Sequence, residues 1–542
     1  MDGECPVLKA LTQTEFSASM PTPYVVTDIV EFWAAHRPDN IALVEGARAC
    51  TYAQLDGAVR DVAERLGQMG VRRGDRVMLV CENCCATVAI YLAIARVGAW
   101  PVVVNARLSD REIDEIRDHS GARRAIYTVG ASARARAHGQ RHGATATDWN
   151  ALGETFIGPL NETAEPEPSE ASLTQQVAAL IYTTGTTGRP KGVMLSHANL
   201  LFVARAAGEV RRLGPEDRVY AVLPVSHILG LTGVLLSSLL FGAQVHLVAR
   251  FDPAAALAAL ERDRISVMIG TPSMYTLLVE YAARKELSLL TPPALRLISS
   301  AGAPLDAATK SAAENAFGLT LHNGYGITET SPTLTLTPLD APRADCAVGR
   351  LLPDIEAKLV GANARPAAPG EAGELFVRGP GVMKGYYKAP AETAEAVDRE
   401  GWFRTGDLAR IEDGNFFIVG RSKELIIRFG FNVYPAEIEG VLNAHPDVAR
   451  SAVIGRRVEE SEEVLAFIEL RQDAKATVDE LADYATRQLA PYKRPSGIFL
   501  VPSLPASPTG KILKHELAAM PVYLARAGHL RARHTGETAM TV

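Results

Sequence analysis

Apolar residues recur three and four apart over residues 29–35 and 52–70, a period that predicts amphipathic helices. Between them Ala42-Leu43-Val44 is a short apolar run. Residues 77–80, entered through Arg76, and 102–104 are apolar without interruption, which predicts short buried strands at 76–80 and 102–104, and residues 87–97 read as the helix joining them. The same alternation returns further on. Strands are predicted at 176–182, 219–223, 244–248, 266–269 and 295–299, with a helix over 253–263. Ser196 is placed to cap a helix that runs through Leu200-Leu201-Phe202. Strands alternating with helices indicate an α/β fold with mainly parallel sheets.

From about residue 355 the strands shorten. Residues 374–377, 403–407 and 416–419 read as short strands parted by glycine turns, which predicts a small β subdomain over about 355–422. After Gly420-Arg421-Ser422-Lys423 an α+β pattern follows, with helices at 438–442 and 478–489 and strands at 448–455, 464–470 and 497–501. The expected division is an extension over 1–25, a large domain over 26–422 and a small mobile domain over 423–542. Residues 158–171 (GPLNETAEPEPSEA) are acidic and proline-containing, and read as an exposed connector. The most apolar stretch, 228–241, is too short to span a bilayer and is flanked by His227, Gln244 and His246; a buried helix is expected there.

Composition narrows this little. A chain of 542 residues is too long for one core. Its formal net charge of −6 gives no reason to expect nucleic acid or an acidic membrane surface. The first residues, MDGECPVLKA, lack the basic and apolar regions of a secretory signal. Cys81-Glu82-Asn83-Cys84-Cys85 holds a C-x-x-C, but no second pair completes a zinc set. Buried thiols at a strand-to-helix turn are expected, in a reducing, cytoplasmic setting.

The chemistry concentrates at Ile181-Tyr182-Thr183-Thr184-Gly185-Thr186-Thr187-Gly188-Arg189-Pro190-Lys191-Gly192. A strand that opens into such a loop wraps backbone N–H groups, hydroxyls and one lysine around a polyphosphate. Glycine permits the close approach. The spacing is not that of a Walker A loop, because the lysine stands three residues after the second glycine. Further motifs follow in order: Ser300-Ala301-Gly302-Ala303-Pro304, Tyr325-Gly326-Ile327-Thr328-Glu329, Thr405-Gly406-Asp407, Gly420-Arg421-Ser422-Lys423-Glu424 and Pro508-Thr509-Gly510-Lys511. Ligands in open α/β sheets bind at the carboxyl ends of strands, so these motif-bearing segments are expected to share one cleft.

Together the motifs resemble those of the acyl-adenylate-forming superfamily, which holds acyl-CoA synthetases, peptide-synthetase adenylation domains and luciferases. The resemblance covers residues 26–517 or so. It implies an ATP-dependent acyl-CoA synthetase with Mg²⁺ and coenzyme A as further cofactors. Thr183, Thr184, Gly185, Thr186, Thr187 and Gly188 would hold the phosphates, and Lys191 would neutralise them. Tyr325 offers a flat face for adenine, with Gly302, Ala303 and Pro304 opposite; Gly326 and Thr328 lie beside the phosphate. Asp407 can accept both ribose hydroxyls, with Arg421 in reach. Glu329 supplies a hard oxygen for Mg²⁺. Lys511 is the candidate cation for the charge that develops as a carboxylate attacks the α-phosphate.

Lys423 stands where the family has the hinge of its small domain. The thioester face would carry Gly430, with Tyr492, Lys493 and Arg494 toward the nucleotide end of coenzyme A. Two departures are visible: Phe429 replaces a frequent second glycine, and residues 456–463 lack the glycine that commonly precedes the matching Glu.

The acyl pocket is implied to be walled by His227, Ile228, Leu229, Ile269, Ala301, Gly324, Gly326, Ser331 and Pro332. Acetate-specific relatives have a tryptophan at the position of Gly326, so its absence implies room for a larger acid. No Arg or Lys stands in this set, which disfavours diacids because an unpaired buried charge is costly. An apolar monocarboxylic acid is expected: medium-chain aliphatic, alicyclic or aryl. A homodimer is left open. Two competing readings are an adenylating enzyme that loads a carrier protein and a nucleotide sensor without catalysis. Only 28 residues follow Lys514, too few for a fused carrier domain.

Overall fold

The computed structural model describes residues 8–9, 23–147, 149, 153–184, 190–287, 289–290, 292–361, 365–428, 431–458, 461–506, 512–517 and 520. Two large mixed sheets carry the architecture. One has eight strands. At its centre Val177–Thr184, Trp100–Asn105, Arg76–Cys81 and Arg124–Tyr127 run parallel in that order. The other has nine strands, with a parallel core of Leu321–Gly326, Leu297–Ser300, Val267–Gly270, Arg218–Ala221, Gln244–Leu247 and Ile41–Glu45. Strands buried on both faces need no polar alternation, which is why these segments read as unbroken apolar runs.

The helix Cys85–Arg96 is buried from Cys85 to Ala95 and packs against strands of both sheets. An all-apolar helix belongs in such a place. Asn83, just before it, ties the sheets together: its side-chain amide donates to the carbonyls of Ala221 (3.0 Å) and Leu223 (2.9 Å). The three thiols of this turn are buried, and Cys84 caps the helix by accepting from the Thr87 N–H. Burial pushes all three thiols up, so they are inert structural groups.

A five-stranded antiparallel sheet follows: Glu356–Val360, Gly373–Arg378, Phe403–Glu412 and Asn415–Arg421, with Leu8–Lys9 added at its edge beside Glu356 and Ala357. The early segment, read as loosely structured, thus contributes one short strand. Beyond it lie the hairpin Ile426–Arg428/Phe431–Val433 and a three-stranded sheet of Val448–Val458, Ser461–Leu470 and Gly497–Leu500, covered by the helices Pro435–Asn443 and Val478–Gln488. Among the described residues no helix is long and apolar enough to cross a membrane.

Three local readings change. The residues on either side of the phosphate segment pair with each other, because Pro190–Ser196 is itself a strand antiparallel to Val177–Thr184. The Tyr325 motif is not wholly a loop, since the strand Leu321–Gly326 runs through it. The apolar stretch at 228–241 is a buried helix, but its first part, Leu229–Leu236, is a π-helix continued by the α-helix Ser237–Leu240. π-turns are rare and concentrate at functional sites.

Candidate active site

Tyr325, Asp407 and Arg421 come from three strands and meet at one point. Asp407 and Arg421 are direct cross-strand neighbours in the five-stranded sheet. Tyr325 ends a strand of the nine-stranded sheet, and its hydroxyl donates to Asp407 Oδ2 at 2.5 Å. Arg421 Nε lies 3.0 Å from Asp407 Oδ1. Asp407 is only 3% exposed. Burial opposes the Arg421 charge, but Asp407, Glu424 and Glu329 outweigh it and the guanidinium pKa is raised. Burial, and then the Asp407 charge, pushes the Tyr325 hydroxyl far above its usual value, so it stays a neutral donor. The carboxylate is therefore oriented by two donors.

A second group gathers around Tyr386, a residue that no motif singled out. Its hydroxyl donates to Glu329 Oε1 at 2.9 Å, while Lys191 Nζ lies 5.1 Å from its ring centroid. Lys191 also pairs with Glu392 at 2.6 Å and faces Thr183 across the hairpin. Tyr386 reaches this position because Gly385–Tyr386 pairs with Val193 and Met194 on the strand that carries Lys191. In the sequence its only signal is the Gly385-Tyr386-Tyr387 run. Thr328 and Glu329 sit on a 3₁₀ turn, fixed by the Met383 N–H donating to the Glu329 carbonyl at 2.8 Å. Among the described residues no set of three or more His, Cys, Asp or Glu side chains gathers to hold a metal. One oriented carboxylate still fits Mg²⁺, which takes most of its ligands from phosphates and water.

Gly302 has a φ of +86°, a conformation that L side chains rarely adopt, and so turns the chain out of the strand Leu297–Ser300. Its α-carbon faces Leu229 Cδ2, 3.6 Å from an ideal Cβ. His227 precedes the π-helix. Its N–H donates to the Pro224 carbonyl (2.9 Å), and its Nδ1 accepts from the Leu229 N–H (3.3 Å). Ile228, Ile269 and Ala301 are buried.

Several expected site residues look different in place. Gly326 has no open space beside it: an ideal Cβ would stand 1.9 Å from the Pro332 carbonyl oxygen. Its glycine is required by close strand packing, which removes the inference that a missing tryptophan leaves room for a larger acid. A Cβ at Gly324 would likewise meet Leu336 Cδ2 at 2.5 Å. The Ser331 hydroxyl is fully buried and donates to the Gly381 carbonyl at 2.8 Å, so it faces backbone and not a pocket. Arg494 donates to the carbonyls of Leu489 and Thr486, both at 3.1 Å, which closes the end of the helix Val478–Gln488. Tyr492 stacks on Phe431 with ring centroids 4.6 Å apart. Gly185, Thr186, Thr187, Gly188, Gly430 and Lys511 lie outside the described residues, as does the Thr184 side chain.

Residues 30–387 match the AMP-binding enzyme family, and residues 437–511 match the AMP-binding enzyme C-terminal domain. The chain belongs to the AMP-binding enzyme family. A feruloyl-CoA synthase from Amycolatopsis sp is 35% identical over 488 residues, covering 89% of this chain and 96% of the relative. A 2-succinylbenzoate–CoA ligase from Geobacillus kaustophilus is 34% identical over 485 residues, covering 89% and 95%. Among solved structures, the O-succinylbenzoate coenzyme A synthetase of Bacillus subtilis in complex with ATP and magnesium superposes with a TM-score of 0.78. It is 28% identical and covers 90% of this chain and 98% of that one. This AMP-binding enzyme is an acid–thiol ligase that uses ATP, Mg²⁺ and coenzyme A on a small-molecule carboxylic acid. The sensor reading is thereby set aside.

Proposed function

We propose that this ligase lets the carboxylate of an acid with an apolar aryl, alicyclic or medium-chain body attack the α-phosphate of ATP, giving acyl-AMP and releasing pyrophosphate, and that the coenzyme A thiol then takes the acyl group and releases AMP. The observation that carries the reading is the convergence of Tyr325, Asp407 and Arg421 from separate strands beside Glu329 and Lys191. Asp407 receives the ribose hydroxyls. Tyr325 covers adenine from one side, against the Gly302-Ala303-Pro304 turn, while Gly326 keeps the strand close beneath it. Lys191, Thr328 and residues Thr183 to Gly188 hold the phosphates. Bound Mg²⁺ would be held by Glu329 and would neutralise phosphate charge. Lys511 stabilises the negative charge that develops at the α-phosphate as the carboxylate oxygen attacks. Lys423 is the hinge between a large domain over 26–422 and a small one over 423–542. Gly430, Tyr492 and Arg494 serve the coenzyme A step.

The acyl group lies against His227, Ile228, Ile269 and Ala301, whose apolar surface supports the apolar body. The names of the feruloyl and 2-succinylbenzoate relatives, both aryl acids, support an aromatic ring. ATP–pyrophosphate exchange over a panel of single acids tests the reading, and absence of exchange with every acid sinks it. Replacing coenzyme A by a phosphopantetheinyl carrier protein in the second step distinguishes the carrier-loading alternative.

A further inference from the structure

Arg211 caps the helix His197–Val210 and is 3% exposed. No motif flagged it. Its Nη1 donates to the Gly233 carbonyl at 2.6 Å, inside the π-helix that follows His227 and Ile228. Its Nε and Nη2 are both buried and have no hydrogen-bond partner. Among the described residues no carboxylate pairs with it. Burial alone pulls its pKa down, to about 10, so it still carries its charge at neutral pH.

The two idle nitrogens form one edge of the guanidinium. Elsewhere in this chain that edge holds carboxylates. Arg296 Nε and Nη2 grip Asp217 at 2.8 and 2.7 Å, and Arg404 grips Glu374 at 2.8 Å through each nitrogen. Such bidentate pairs are the strong, directional use of arginine. A buried cation without an anion is costly, and the cost is offset when a carboxylate arrives.

Its position connects it to the acyl wall. An ideal Cβ at Gly233 would lie 2.9 Å from Leu229 Cδ1 and 3.9 Å from Thr333 Oγ1. Leu229 in turn touches Gly302 through its other methyl, so Arg211 stands one carbonyl behind the wall that begins at the adenine turn. The buried helix and the strand of Thr333 carry further idle polar atoms. Thr232 Oγ1 and Ser237 Oγ of the buried helix have no partner, nor does Thr335 Oγ1, two residues along the strand from Thr333. Resting on the ligase reading above, we propose that Arg211, at the far end of the acyl site, binds a second carboxylate of the acid through its Nε/Nη2 edge. The premise that no cation is near the walls holds for the wall residues themselves and fails one layer behind them.

The test is ATP–pyrophosphate exchange with the full-length enzyme on matched acids: α,ω-dicarboxylates of four to ten carbons against monocarboxylates of equal length, and 3-(4-carboxyphenyl)propanoate against 3-(4-methylphenyl)propanoate. In at least one pair the wild type is expected to favour the diacid by tenfold or more in kcat/KM. Arg211→Met is expected to collapse that ratio toward one through KM for the acid, with KM for ATP unmoved. Arg211→Lys, which keeps the charge and loses the fork, is expected to fall between. Monoacids equal to or better than every matched diacid in the wild type would overturn the proposal, even if Arg211→Met failed to fold. A diacid preference that survives in folded Arg211→Met would also overturn it. Either result leaves the ligase reading standing; only the absence of exchange with every acid removes that.

Discussion

Asp407 shows how one residue is prepared before its ligand arrives. A buried carboxylate with two donors, one of them charged, has little freedom left, so the acceptor geometry is set in advance. Removing the neutral donor should loosen that geometry while keeping the fold. Tyr325→Phe is expected to raise KM for ATP by about tenfold, corresponding to roughly 1.4 kcal/mol of lost orientation. An unchanged KM in pyrophosphate exchange would show that Arg421 alone orients Asp407. Gly326 shows the opposite constraint, because the residue is defined by what cannot be added to it. With the Pro332 carbonyl 1.9 Å from an ideal Cβ, even alanine must displace backbone. Gly326→Ala should destabilise by about 1–3 kcal/mol in urea unfolding, the usual cost of overpacking. Gly326→Trp should fail to fold and not shift acid preference; a folded tryptophan variant selective for acetate would restore the open-pocket reading.

At the scale of elements, the helix His197–Val210 links several layers. Ser196 and Asn199 cap it reciprocally, with Ser196 Oγ accepting from the Asn199 N–H at 3.2 Å. His197 begins it, and its Nδ1 accepts the Val26 N–H at 3.2 Å, which anchors the chain just before the helix Asp28–His36. Burial lowers the His197 pKa from 6.5 to about 4. The folded chain therefore refuses a proton that the unfolded chain takes up between those values. Stability from this group is complete above about pH 6.5 and is lost as pH falls toward 4, an effect on the order of 3 kcal/mol. His246, buried in the nine-stranded sheet and lowered by burial to about 4, adds in the same direction. Urea midpoints measured from pH 7.5 to 4.5 should fall for the wild type and fall less steeply for His197→Gln. Parallel slopes would mean that other groups control acid unfolding.

For the whole molecule the central question is how one cleft serves two steps. On the proposed reading, pyrophosphate and Lys511 would stand in the way of the coenzyme A thiol, and the segment after Lys423 would dock differently in each step. The turn at Ser422–Glu424 is one end of this arrangement. Glu424 is held by Lys514 at 2.9 Å, and Lys514 also lies 2.9 Å from Glu439, so the turn is tied to the C-terminal segment. Arg471 of the small domain meets Glu280 of the helix Pro272–Arg284 at 2.7 Å, a half-exposed pair. Exposed pairs contribute little, typically under about 1 kcal/mol, so this contact would not oppose the proposed hinge motion. Proline at a hinge fixes φ and restricts the preceding residue. Lys423→Pro should keep pyrophosphate exchange and lose most thioester formation from preformed acyl-AMP. Equal effects on both half-reactions would place the hinge elsewhere.

The sequence by itself determined the period of nearly every element, because buried parallel strands and amphipathic helices leave apolar patterns that do not depend on their neighbours. It also determined the family chemistry, because glycines, hydroxyls and charges at fixed short spacings act within a single turn. The packing of those turns was decided only in three dimensions. Tyr386 has no motif of its own and enters the site through its pairing with the strand of Lys191. Gly326 looked like open space until the Pro332 backbone was found against it. Arg211 stands beside another arginine in a segment without a motif, and its neighbour Arg212 reaches Asp340 at the surface. Which of the two is buried, and which edge of its guanidinium is left without a carboxylate, depends on residues far away in the chain. Local spacing cannot encode that, because burial and pairing are properties of what the fold brings alongside.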